Sequence, residues 1–319
     1  MSEGVSGLGT DLEEAMRAAV ARLTEAEVPS PRADAELLAA HVLGVSRGRA
    51  AALALGGARL EDATAERFEL LVAERSRRLP LQHLTGLAPF RDLQLRVGPG
   101  VFVPRPETEQ VAQIALDRLH RLSGERGELR EHRAADGAGL RVLDLGTGSG
   151  ALAAAVAAEL PGAEVHAVEV SAEAAAWAAL NLEPLGVHLH CADLRDLPED
   201  WAETFDVVVS NPPYIPTSMV PVEVEVREHD PEVALYGGGE DGLSLPHQVV
   251  EVAAMLLRED GWFIMEHAEE QAEPLAARCA AHPRLTAVRT HQDLTGRDRA
   301  TSAARRSSMS ENTTTTMEE

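Results

Sequence analysis

The sequence predicts an α/β protein in which a small helical domain, a β-hairpin linker and a doubly wound, mostly parallel sheet follow one another. Three observations carry this. Residues 1–80 show apolar positions at helical spacing, short apolar runs alternate with helical ones from Leu140 onward, and a glycine-rich turn, Gly146-Thr147-Gly148-Ser149-Gly150, stands where one such run gives way to a helix. Alternation of this kind builds a parallel sheet, because each crossover helix must cover a face of it.

The elements follow in order. Leu12, Met16, Ala19, Val20 and Leu23 form one face of a helix between Asp11 and Val28, and Thr10 with Glu13 has the form of a capping box. Ser30-Pro31 reads as a cap with proline at the first helical position, and Leu37, Leu38, His41 and Val42 share the face that follows. A third helix is predicted from Glu61 to Leu79, with Phe68, Leu71, Val72 and Arg75 on adjoining turns. Alternating Leu93, Leu95 and Val97, the turn Gly98-Pro99-Gly100, then Val101 and Val103 predict the hairpin. A helix from Pro106 to Leu122 precedes a loop from Ser123 to Gly139. Strands are then expected at 140–145, 165–170, 187–189, 205–210, 262–266 and 285–290, with helices at 150–160, 172–182, 242–258 and 268–281. The domain organisation expected is 1–80 helical, 81–105 hairpin linker, 106–300 sheet domain and 301–319 a polar, disordered tail.

Composition narrows the chemistry. Of 319 residues, 52 are Asp or Glu and 29 are Lys or Arg, and every cation is an arginine. A chain without lysine cannot place a P-loop or kinase lysine on a phosphate, or form a Schiff base. The net charge is −23, and residues 151–250 alone hold 18 acids against Arg195 and Arg227. A phosphate backbone approaching that stretch is repelled. Cys191 and Cys279 lie 88 positions apart, which fits reduced buried thiols and a cytoplasmic protein better than a disulfide framework. Neither a signal peptide nor an apolar run of membrane-spanning length is present. His188, His190 and Cys191 alternate at a strand end without a fourth ligand, so no metal site is expected.

Ligands bind beyond the carboxyl ends of strands in such sheets, so the residues after Leu145, Val170, Leu189 and Ser210 are the candidates. Asp144 precedes the glycine loop, Glu169 ends the next strand where an acid would accept ribose hydroxyls, and Asp193 follows the third, where it could accept from an adenine amino group. The glycines alone leave a nicotinamide dinucleotide open; acids after successive strands, with no phosphate cradle needed, favour S-adenosylmethionine. The strand Phe205–Ser210 delivers Asn211-Pro212-Pro213-Tyr214. Asn211 offers a side-chain carbonyl, Pro212 a backbone carbonyl on a stiffened chain, and Tyr214 a flat face, a set suited to holding a planar NH₂ group. Two acceptors on its two hydrogens would aim the nitrogen at a sulfonium methyl. The tetrapeptide leaves open whether the amino group is that of adenine, cytosine or glutamine.

The chain resembles the release factor glutamine methyltransferases (PrmC or HemK). Pro80-Leu81-Gln82-His83-Leu84-Thr85-Gly86 with Phe90 is similar to the family's inter-domain motif, and Val103-Pro104-Arg105-Pro106-Glu107-Thr108 to its Ile-Pro-Arg-Pro-Glu-Thr signature. Pro231-Glu232-Val233-Ala234-Leu235, Gly237 and Asp241-Gly242-Leu243, then Asp293-Leu294 with Gly296 and Arg297, look like later family segments. The resemblance implies a Rossmann-like methyltransferase sheet, S-adenosylmethionine as cofactor, and N5-methylation of the glutamine in the Gly-Gly-Gln motif of peptide chain release factors. It implies that Gly146, Thr147, Gly148, Ser149, Gly150, Glu169 and Leu194 contact the cofactor. Asn211 would touch cofactor and substrate, and Pro212, Pro213 and Tyr214 would hold the glutamine. A ribosomal protein glutamine methyltransferase, an adenine-N6 nucleic-acid methyltransferase and a non-catalytic cofactor-binding module are the competing readings. Partners expected are release factors, with neither nucleic acid nor membrane, and a monomer. The arginines Arg59, Arg67, Arg75, Arg77 and Arg78 form a local cluster in the helical domain that is either a substrate contact or a solvated face.

Overall fold

A computed structural model describes residues 9–129 and 137–307 of the chain. It falls into two compact units: residues up to Leu87 together with Pro221–His229, and Ala88–Val220 together with the chain from Asp230 onward.

In the first unit a two-residue strand β1 (Thr10–Asp11) pairs antiparallel with β2 (Arg59–Leu60) around helices α1 (Leu12–Glu25), α2 (Pro31–Leu43) and α3 (Arg47–Leu55), and α4 (Asp62–Ser76) and α5 (Leu81–Thr85) follow. The α1 cap is Asp11, whose carboxylate accepts from Glu14 N at 3.0 Å, and not the expected Thr10. Proline does open α2. α3 went unpredicted, since only alanines and two leucines mark it. Leu12, Leu23, Leu38, Leu60 and Phe68 form the core of this unit. The arginine cluster is engaged largely within the unit. Arg75 pairs with Asp34 at 2.7 Å and Glu225 at 2.9 Å, and Arg78 with Glu225 at 2.6 Å. Burial works to raise the Glu225 carboxyl, yet Arg78 and Arg75 hold it down to about 2. Replacing Arg75 by Met leaves Asp34 buried against no cation, and chemical denaturation should show the unit destabilised by about 3 kcal/mol.

The second unit opens with a hairpin, β3 (Leu87–Phe90) and β4 (Leu93–Arg96). The expected hairpin across Gly98-Pro99-Gly100 is corrected: the turn lies at Arg91-Asp92, with Arg91 at φ 52°. Gly98 and Gly100 serve packing instead, because a Cβ on Gly98 would stand 2.3 Å from the Trp177 ring and one on Gly100 2.7 Å from Glu173. Helix α6 (Pro106–Leu129) continues past the expected end at Leu122 into the supposed loop, of which residues 130–136 lie outside the described ones.

The sheet follows: β5 (Arg141–Leu145), α7 (Ala151–Glu159), β6 (Glu164–Glu169), α8 (Ala172–Leu182), β7 (His188–Cys191) and β8 (Phe205–Ser210). After α9 (Val224–His229), which clusters with the helical unit, come α10 (Ser244–Leu256), β9 (Leu257–Glu266), α11 (Ala272–Ala281), β10 (Leu285–Gln292) and β11 (Asp298–Arg305). Seven strands lie in the order β10-β11-β9-β8-β5-β6-β7; β11 alone runs against the others. Alternation sends Val207 and Val209 into one apolar layer with Leu152 and Ile264, and Val208 into the other with Phe263 and Met265. The tail expected from residue 301 is also corrected. Thr301, Ser302 and Ala303 are buried in β11, and residues 308–319 lie outside the described ones. Cys279 is buried, whereas Cys191 is exposed, contrary to expectation. Among the described residues no helix is long and apolar enough to cross a membrane.

Candidate active site

Register brings the candidate loops to one edge of the sheet. Leu145 pairs with Ser210 on one side and Val168 on the other, and Glu169 with Cys191, so the turns after β5, β6, β7 and β8 leave together. The Gly146–Gly150 turn has φ of 72°, 57° and 88° at its three glycines, a region L side chains avoid. Their uses differ. A Cβ on Gly150 would meet Leu182 at 2.8 Å, so this glycine lets α7 pack, whereas one on Gly146 or Gly148 would meet nothing within 4 Å and would stand in open space. The Asn181 amide donates to the Ser149 carbonyl at 2.8 Å and fixes the far side of the turn.

Two carboxyls underlie this turn. Glu169 accepts from Gly148 N and from Ser171 N, each at 2.8 Å, one per oxygen, which leaves a lone pair on each for a ribose hydroxyl. Asp144 Oδ2 accepts from Thr147 Oγ1 at 2.6 Å and Ala153 N at 3.1 Å, while its buried Oδ1 has no partner. Burial pushes Asp144 up to about 7 against those two hydrogen bonds. An unpartnered buried acceptor beside an open glycine cradle fits S-adenosylmethionine, whose ammonium and ribose are donors.

Asn211 begins the loop after β8, and its amide donates to Thr108 Oγ1 at 3.0 Å. Pro212 is buried and Asn211, Pro213 and Tyr214 half-buried. The loop is held by backbone contact. Gln271 donates through one amide nitrogen to the carbonyls of Tyr214 and Asp241, both at 2.8 Å, and Ile215 bridges to Tyr236. Gly237 presses so close that a Cβ there would stand 2.6 Å from the Pro213 carbonyl oxygen. Glu266, at the end of β9, is 3 % exposed, and its Oε2 is buried without a hydrogen-bond partner. Burial raises Glu266 to about 7 and holds the Tyr214 hydroxyl above the usual phenol range.

Asp144 and Glu266 therefore give stability a sign. A carboxyl whose folded pKa exceeds its unfolded one binds its proton more tightly in the native state, so stability falls as pH rises from about 4 through about 7. Melting temperatures at about pH 5.5 and about pH 8 should show this fall, and Asp144→Asn or Glu266→Gln should each shrink it.

The structure gathers Asp144, Gly146, Thr147, Gly148, Ser149, Gly150, Glu169, Asn211, Pro212, Pro213 and Tyr214 in the sheet domain. Asp193 differs from expectation: Arg195 caps both its oxygens, at 2.8 and 2.5 Å, and holds it down to about 2. Leu194 is half-buried against the second apolar layer. Sequence reasoning gave no role to Thr108 or Asn181, and for Glu266 and Gln271 it left helix capping and chemistry equally open. Thr108 was in view within the Pro-Arg-Pro-Glu-Thr signature. His166 packs with His188, His190, Trp201 and Phe205, and His190 with Trp201, and among the described residues no group of three His, Cys, Asp or Glu is placed to hold a metal.

The chain is similar in sequence to known proteins. Residues 14–86 match the PrmC N-terminal domain and residues 129–226 the methyltransferase small domain. The release factor glutamine methyltransferase of Streptomyces coelicolor is 43 % identical over 287 residues, covering 89 % of this chain and 95 % of that protein. Those of Bifidobacterium longum and Deinococcus radiodurans are 40 % and 39 % identical, covering 88 % and 92 % of this chain and 95 % and 98 % of theirs. With relatives this similar over nearly its whole described length, the chain belongs to the release factor glutamine methyltransferase family.

Proposed function

We propose that this chain methylates N5 of the glutamine in the Gly-Gly-Gln motif of a peptide chain release factor. The observation that carries the reading is Asn211-Pro212-Pro213-Tyr214 at the carboxyl end of β8, clamped by Gly237 and Gln271 beside the glycine turn. S-adenosylmethionine, when bound, supplies an electrophilic methyl on a sulfonium. Gly146 and Gly148 leave room for it, Glu169 accepts from its ribose, and Asp144 and Asp193 offer further acceptors at its two ends. Asn211 Oδ1 and the Pro212 carbonyl take the two hydrogens of the substrate amide and turn its nitrogen toward the methyl. Tyr214 lends a flat face to the amide plane, and Pro213 keeps the segment stiff.

Charge supports a protein substrate over a nucleic acid. The acids of residues 151–250 flank Asn211 on both sides in sequence, and an adenine within a duplex would have to bring its phosphates to them. Residues 1–80 are read as the domain that recognises the folded release factor. Labelled S-adenosylmethionine should therefore transfer methyl to a release factor and not to duplex DNA or RNA, and a Gly-Gly-Gln peptide should show a raised KM against the folded factor. Robust label on duplex would overturn the substrate class, and equal KM values would remove the recognition role.

A further inference from the structure

The carbonyl of Ser149 lies just ahead of α7, whose first turn closes with Ala154 N on the Gly150 carbonyl at 2.8 Å, so the helix leaves the Ser149 oxygen to find a partner elsewhere. Asn181 supplies one from α8, at 2.8 Å. The other end of the same peptide unit is also tied, because Gly150 N donates to the Thr147 carbonyl at 2.8 Å. Gly150 sits at φ 88°, and glycine passes readily between positive and negative φ, so the peptide needs such ties to stay in one orientation. A flip would break both bonds.

The same amide also holds the hairpin. Asn181 Nδ2 donates to the Arg96 carbonyl at 3.0 Å and its Oδ1 accepts from Arg96 N at 2.7 Å, so the side chain pairs with β4 as a neighbouring strand would. Counting hydrogens fixes its orientation: a flipped amide would set NH₂ against the Arg96 N–H and an oxygen against two carbonyls. Trp177, one helical turn earlier on α8, donates from Nε1 to the Pro99 carbonyl at 3.1 Å, so two side chains of one helix face hold residues 96–99. All of these residues belong to the second unit. Asn181 is buried and a weaker helix former than Leu or Ala, so helix packing alone does not account for it.

We propose that Asn181 is a positioning residue that holds the Ser149–Gly150 peptide ready for S-adenosylmethionine and couples the glycine turn to the β3–β4 hairpin through Arg96. The inference rests on the reading that the cofactor sits at this turn. A turn that is ordered only part of the time binds in proportion to that fraction, so loosening it weakens affinity without touching the segment at Asn211. Coupling of this kind is reciprocal. A cofactor that steadies the turn also steadies what the turn is tied to, and the Arg96 N–H opens to solvent less often once the cofactor is bound.

The test uses the full-length enzyme. Hydrogen exchange at the Arg96 backbone amide, read by NMR in the wild type, should slow by about threefold or more when saturating S-adenosylmethionine is added, while the Gly148 and Ser149 amide resonances shift. Asn181→Asp keeps an acceptor for the Arg96 N–H and loses both donors; Asn181→Ala loses the whole amide and suits the helix. Calorimetry should show each variant binding the cofactor about tenfold more weakly, with kcat at saturating cofactor falling less than about threefold and the cofactor-induced protection of Arg96 lost. The wild-type exchange decides even where a variant fails to fold. Affinity within about twofold of the wild type in both variants, or wild-type Arg96 exchange that ignores the cofactor while the turn amides shift, would overturn the proposal and leave the turn as the cofactor's seat. A kcat that falls in step with affinity would overturn it too, since Asn181 would then hold the fold at large. Turn amides that stay unshifted when the cofactor binds would sink the reading of the turn, and the proposal with it.

Discussion

Asn211→Ala is expected to cut kcat on a release factor by about 10²–10³-fold while cofactor affinity changes by less than about fivefold. The asymmetry follows from where the side chain stands. Its amide is tied to Thr108 at 3.0 Å at the end of β8, whereas the glycine turn, Asp144 and Glu169 are held by their own hydrogen bonds. Removing the carbonyl leaves one hydrogen of the substrate amide without its acceptor, and the nitrogen loses its aim. Single-turnover methylation at saturating cofactor measures the loss, and calorimetry measures the affinity. Turnover close to that of the wild type would remove Asn211 from the mechanism.

Gly237→Ala is the second large effect, and its cause is backbone. A methyl group at Gly237 would lie 2.0 Å from the Gly242 carbonyl oxygen, 2.6 Å from that of Pro213 and 2.9 Å from Tyr214 Cα. No side chain can move aside to relieve such contacts, so the segment carrying Pro212, Pro213 and Tyr214 must shift. A displacement near 1 Å at reacting groups costs about 10²-fold in rate, so a loss of at least that size is expected in kcat. Gly186→Ala is the control. Gly186 has positive φ, at 72°, which Gly237 has not, and a Cβ there meets nothing within 4 Å. It should lower the melting temperature slightly and leave kcat unchanged. Equal kcat in the two variants would mean that the close approach of Gly237 does not matter to catalysis.

The parts of this protein legible in its sequence are those that local chemistry determines. Phe205–Ser210 reads as a buried strand because Phe205, Val207, Val208 and Val209 make it a short apolar run, and the Asn-Pro-Pro-Tyr segment follows directly. The glycine turn is legible for the same reason, since strand, turn and helix occupy one continuous stretch. What escaped is long-range. Thr108 meets Asn211 across 103 positions, Gln271 meets Tyr214 across 57, and no periodicity announces either pairing. Strand β11 escaped for a different reason: Ala300, Thr301, Ser302 and Ala303 are too small and polar to look like core, yet the sheet buries them fully. The hairpin was displaced because Gly98-Pro99-Gly100 is composed like a turn, although Gly98 is required by the Trp177 ring.

The central claim is that the site holds a protein glutamine and delivers one methyl to it. Mass spectrometry of a release factor incubated with this enzyme and S-adenosylmethionine tests that most directly. The peptide carrying Gly-Gly-Gln should gain the mass of a single methyl group, fragmentation should place it on the glutamine side chain, and Asn211→Ala should leave nearly all of the peptide unmodified in the time the wild type needs to modify it. A methyl found on another residue, or an unmodified Gly-Gly-Gln peptide under conditions where the enzyme binds its cofactor, would contradict the account.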